Sequence, residues 1–64
     1  MIWYNPTKRT LECIPAPLDD AQATKTLSGH PGSARFIEVY REWRKSYGLE
    51  EALQRTGDAF RTVH

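Results

Sequence analysis

Residues 34–47 read ARFIEVYREWRKSY, and the reading of this stretch decides the fold. On a 3.6-residue period Phe36, Val39, Tyr40, Trp43 and Tyr47 fall on one side, while Arg35, Glu38, Arg41, Glu42 and Lys45 fall on the other. The run holds four of the chain's seven aromatic residues and four of its nine Lys and Arg residues. A chain of 64 residues buries only about 60% of the surface it exposes when unfolded. Rings that each bury about 150–250 Å² are therefore needed inside before they can be spared for an interface. The stripe predicts the centre of the core, with Tyr40 and Trp43 near its middle and Leu53 and Phe60 against them.

Working outward, Gly48 closes this helix, and Leu49 to Val63 repeats the helical pattern, with Leu49, Ala52, Leu53, Thr56, Ala59, Phe60 and Val63 sharing a side. Gly57 inside that pattern either interrupts the helix or permits close packing. On the N-terminal side, Ser33 is expected to cap the central helix and His30-Pro31-Gly32 to form a loop. Asp19-Asp20 reads as the capped start of a shorter helix that Gly29 closes in the left-handed conformation. Further back, Ile2 to Asn5 and Thr10 to Ile14 lean toward strands, and Asn5-Pro6 suits the first half of a turn between them. The fold class is α+β, a single small domain: a hairpin over about 2–14 followed by helices over about 20–28, 34–47 and 49–63, in the order ββααα.

Nine basic and eight acidic side chains leave a formal charge of +1, too balanced for a general polyanion binder. The distribution is uneven. Lys8 and Arg9 stand without an acid in the first ten residues, and Arg41, Arg44 and Lys45 form a second basic set. Glu38 and Glu42, three residues before Arg41 and Lys45, are spaced to pair with them. Cys13 is the only cysteine, so no internal disulfide forms; a reducing compartment and a small core residue are the expectations. No apolar run approaches the roughly 20 residues that span a bilayer, and no signal-peptide pattern opens the chain, so a cytoplasmic location is expected.

Cys13, His30 and His64 are scattered, with no spacing that suits a metal. No nucleophile elbow or phosphate-cradling glycine loop accompanies them. Neither an enzyme nor a cofactor is expected. Leu49 to Val63, LEEALQRTGDAFRTV, partly resembles a helix-turn-helix, with Gly57 at the turn and an apolar residue at Val63. The resemblance implies a DNA-binding regulator using Arg55 and Arg61. The segment departs from that pattern at Asp58, which follows the glycine where an apolar residue is usual, and by stopping soon after Val63.

Trp3 and Tyr4 are neighbours on a strand and so face opposite ways. One ring is expected to point outward, and an uncovered hairpin edge could take a strand from a partner. Trp3, Tyr4, Lys8 and Arg9 form the preferred contact region, with Arg41, Arg44 and Lys45 as a second docking patch, because Arg, Tyr and Trp dominate binding hot spots. The function expected from these readings is a non-enzymatic adaptor or inhibitor that binds another protein. Size and autonomy fit a phage or mobile-element product acting on a host enzyme. The alternatives are the DNA-binding regulator and a self-associating structural subunit, so the chain is a monomer or a homodimer.

Overall fold

The computed structural model describes residues 1–62, so the roles expected of Val63 and His64 lie outside the described residues. Five elements follow in chain order: β1 (Ile2–Asn5), β2 (Thr10–Cys13), α1 (Asp20–Ser28), α2 (Ser33–Arg44) and α3 (Leu49–Thr62). The expected hairpin followed by three helices is the observed architecture.

β1 and β2 pair antiparallel, with Ile2 opposite Cys13, Trp3 opposite Glu12, Tyr4 opposite Leu11 and Asn5 opposite Thr10. The Asn5 side chain organises the turn, its Oδ1 accepting from the amides of Thr7 at 3.0 Å and Lys8 at 3.2 Å. Its Nδ2 reaches across to the Glu12 carboxylate at 3.2 Å. Arg9 leaves the turn at φ 57°, the left-handed region.

Asp19 caps α1, its Oδ1 accepting from the Gln22 amide at 2.9 Å. Gly29 closes α1 at φ −74°, without the left-handed turn the sequence suggested. Gly32 at φ 74°, rather than Ser33, occupies the N-cap of α2. α2 stops at Arg44, earlier than periodicity indicated. The next residues tighten into a turn in which the Ser46 and Tyr47 amides both donate to the Trp43 carbonyl, each at 3.0 Å.

The core is Trp3 from β1, Ala23 and Leu27 from α1, Phe36 and Tyr40 from α2, and Ala52 and Leu53 from α3. Phe36 and Phe60 meet edge-on with ring centroids 4.4 Å apart. His30 is more than a loop residue: its ring lies 5.6 Å from Trp3 and 5.8 Å from Phe36, closing the core at the entry to α2.

One expectation about the core fails. Trp43 is half-buried at the margin, while Tyr40 takes the centre at 2% exposure. The element that ties the hairpin to the helices is α3, which packs against β1, α2 and α1; α2 packs against α1 and α3. The cause is Gly57. α3 runs through it without a break, and the residue is buried against β1. A Cβ there would stand 3.0 Å from Trp3 Cε3 and closer still to the Tyr4 carbonyl oxygen. The glycine serves close helix–strand approach, and the turn that a helix-turn-helix requires at this position is absent.

Candidate functional site

The three basic residues that the sequence grouped come together. Arg41, Arg44 and Lys45 line one concavity of about 650 Å³ between α1 and α2, with Ala21 and Thr24 on the α1 side. Asp20 and Tyr40 complete the lining. The Tyr40 hydroxyl donates to Asp20 Oδ1 at 2.6 Å, and Arg44 Nε donates to the same oxygen at 3.0 Å. A second guanidinium nitrogen of Arg44 reaches the Tyr47 carbonyl at 3.2 Å, so the side chain is anchored at two points.

The electrostatics of this network follow from its hydrogen bonds. The Tyr40 hydroxyl, and then Arg44, hold the Asp20 carboxyl below its ordinary value. Burial, and then the Asp20 carboxylate, push the Tyr40 phenol up to about 12. Asp20 in turn raises the Arg44 guanidinium. At neutral pH the carboxylate stays ionised and the phenol stays protonated, so the pair fixes geometry and charge rather than moving protons.

The fate of each cation sets the character of the groove. Lys45 reaches Glu42 at 3.2 Å, an exposed and weak pair. Glu38 pairs with Arg35 at 3.2 Å, not with Arg41 as the spacing had suggested. Among the described residues no acidic side chain pairs with Arg41. The groove lining thus carries three cations and one carboxylate, Asp20, while Glu42 reaches Lys45 from outside the lining. A second concavity of about 550 Å³, on the α3 side of α2, holds Arg35, Glu38 and Glu42 and shares Arg41 with the first.

The hairpin residues behave differently from expectation. Trp3 is 2% exposed and Tyr4 9% exposed, so neither ring points into solvent. Trp3 faces the core, and the Tyr4 ring is covered from α3, where the Arg61 guanidinium lies 5.6 Å above it. Neighbouring rings can both be buried because α3 lies along the edge of β1 as well as under one face. Lys8 is exposed and pairs with Glu12 at 3.4 Å; Arg9 is exposed beside it. The outward positions of the hairpin belong instead to Ile2, Leu11 and Cys13, and the thiol is exposed rather than part of the core.

The two residues marked for nucleic acid are also engaged. Arg55 stacks over Tyr47 at 4.1 Å and Trp43 at 5.4 Å while pairing with Glu51 at 3.2 Å. Arg61 lies over Tyr4. Sequence reasoning missed Asp20 and Tyr40 as site residues. It assigned Asp20 to helix capping, a task that Asp19 performs, and Tyr40 to the core alone. Tyr40 does both, with its ring buried and its hydroxyl in the groove. Among the described residues, no group of three His, Cys, Asp or Glu side chains could hold a metal, and no helix is long and apolar enough to cross a membrane. No family, curated protein or solved structure matches the chain.

Proposed function

We propose that this chain is a non-enzymatic binding module, an adaptor or inhibitor, that docks on another protein by seating an acidic segment of it in the α1–α2 groove. The observation that carries the reading is the convergence of Arg41, Arg44 and Lys45 on one concavity whose lining carries a single carboxylate. Arg44 is held in place by Asp20 and the Tyr47 carbonyl, so its three remaining N–H donors are oriented before a ligand arrives, and little entropy is lost on binding. Arg41 supplies a guanidinium whose desolvation breaks no ion pair among the described residues. A site of this size admits one or two side chains of a partner, not a folded element.

Calorimetry with a glutamate-rich peptide tests the reading, with a neutral peptide of equal length as the control. Binding that weakens with salt and disappears in the double variant Arg41→Glu, Lys45→Glu supports it. Equal affinity of the double variant and the wild type would sink it. So would binding to duplex DNA that exceeds binding to the peptide at the same salt, the outcome that the nucleic-acid alternative requires.

A further inference from the structure

The hairpin has two edges, and only one is covered. The Met1 amino nitrogen donates to the Ile14 carbonyl, and the Ile14 amide returns a bond to the Met1 carbonyl at 2.8 Å. Alternation along an antiparallel ladder then makes Trp3–Glu12 and Asn5–Thr10 the hydrogen-bonded pairs. The main-chain groups of Ile2, Tyr4, Leu11 and Cys13 consequently point away from the partner strand. On the β1 side α3 covers them: Gln54 Nε2 donates to the Ile2 carbonyl at 3.1 Å, and Gly57 abuts the Tyr4 carbonyl. On the β2 side no described element covers Leu11 and Cys13.

Natural edge strands are protected by shortness, charge, proline, bulges or a covering element, of which β2 has its four-residue length and Glu12. Thr10–Cys13 has no proline, and it pairs residue for residue with β1. We infer that β2 pairs antiparallel with β2 of a second copy of this chain, about a two-fold axis at Leu11, joining two hairpins into one four-stranded sheet.

Charge favours this register over the one centred on Glu12. With the axis at Leu11, Glu12 of each copy lies opposite Thr10 of the other and diagonal to its Lys8. The contact between copies then repeats the Lys8–Glu12 pairing found within each chain. With the axis at Glu12, two carboxylates would oppose each other. With the axis at Cys13, Leu11 would face Pro15, which has no N–H to give. The Leu11 register also continues the Tyr4–Leu11 cross-strand row into its symmetry mate, and Leu11, 65% exposed in one copy, covers its counterpart. The basic turns, Lys8 and Arg9, lie at opposite ends of the joined sheet. The contact is isologous and closes at two copies. It draws on none of the groove residues.

Sedimentation equilibrium of the full chain over a range of concentrations tests this inference. A dimer mass at high concentration is expected for the wild type and its loss for Leu11→Lys, which sets like charges across the axis. The Leu11 side chain is exposed in the single copy, so the circular dichroism of the variant should be unchanged. In a Leu11→Cys, Cys13→Ser chain, oxidation should cross-link the two copies, because directly opposed Cα atoms lie about 5.5 Å apart, within disulfide range. A monomer at every concentration overturns the inference, even if the edge captures a strand from an unrelated protein. A dimer that survives Leu11→Lys and fails to cross-link overturns it as well.

Discussion

α1 and α3 both lie against α2, yet one forms half of a groove and the other forms the keel of the fold. The difference is in the residues each turns inward. α3 presents Ala52, Thr56 and Gly57, small enough to bring its backbone against β1 and α2 together, with Leu53 filling the core between them. Thr56 satisfies its hydroxyl on the Ala52 carbonyl at 2.8 Å, so even its polar residue costs little to bury. α1 buries only Ala23 and Leu27 and meets α2 elsewhere through the Asp20–Tyr40–Arg44 network. Apolar contact over most of one helix leaves only a recess that α3 lines with Ala59 and no charged group. Two buried residues and a ring of polar groups leave a recess and supply its charge.

The largest test of this contrast is Gly57→Val. The added carbons meet the Tyr4 backbone and the Trp3 ring, and a main-chain carbonyl cannot move aside as a flexible side chain can. A domain of this size holds only about 3–5 kcal/mol, so the variant should show no cooperative urea transition. Ala21→Val on the exposed side of α1 should shift stability by less than about 0.5 kcal/mol. If Gly57→Val melts like the wild type, α3 is not the element that locks the hairpin.

Next in size is the alkaline response of the α1 side. The Tyr40 pKa is raised from 10.0 to about 12, so the folded state holds the phenolic proton more tightly than the unfolded chain does. The stabilisation is complete below the unfolded value and is lost as pH rises through 10 toward 12. The shift corresponds to roughly 2–3 kcal/mol. Chemical denaturation at a series of alkaline pH values should show that fall in the wild type and a flatter profile in Tyr40→Phe. The substitution should cost about 1 kcal/mol near neutrality through the lost hydrogen bond to Asp20. Asp20 has the opposite sign: its lowered pKa adds stability at neutral pH that fades as the medium becomes acidic.

A smaller effect is expected where α3 meets the end of α2. Arg55→Ala removes the guanidinium stacked on Tyr47 and Trp43 together with the Glu51 pair, and should cost about 1 kcal/mol. The near-ultraviolet signal of Trp43 should change with it. Added salt should reproduce little of the loss, because the stacking is short-ranged.

Which features the sequence disclosed follows from how local their causes are. The hairpin, its Asn5 turn and the three helices were legible because each rests on contacts between residues a few positions apart. The convergence of Arg41, Arg44 and Lys45 was half legible, since helical spacing placed them near one another but not against α1. Asp20 with Tyr40, separated by 20 positions, left no local trace. Trp43 misled because a stripe as broad as Phe36 to Tyr47 exceeds what one neighbour can cover, and size alone made Trp43 its presumed centre. Trp3 and Tyr4 misled because alternation reveals which face a side chain takes but not that α3 would lie along the strand edge. Gly57 was the one residue whose alternatives, helix break or close approach, could be named in advance and decided only by the tertiary packing.

The finest test concerns whether α1 can loosen alone. Asp19 Oδ1 holds the Gln22 amide, and the Leu18 amide in turn donates to Gln22 Oε1 at 3.0 Å, so two reciprocal bonds close the first turn of α1. Asp19→Ala removes the first of these and should cost about 1 kcal/mol. α1 contributes only Ala23 and Leu27 to the core, so the loss should appear as local opening rather than global unfolding. Amide hydrogen exchange should accelerate over Gln22 to Thr26 and remain unchanged at Leu53 and Thr56. Uniform acceleration across both helices would mean that α1 folds as one unit with α3, and that the groove beside it is as rigid as the core.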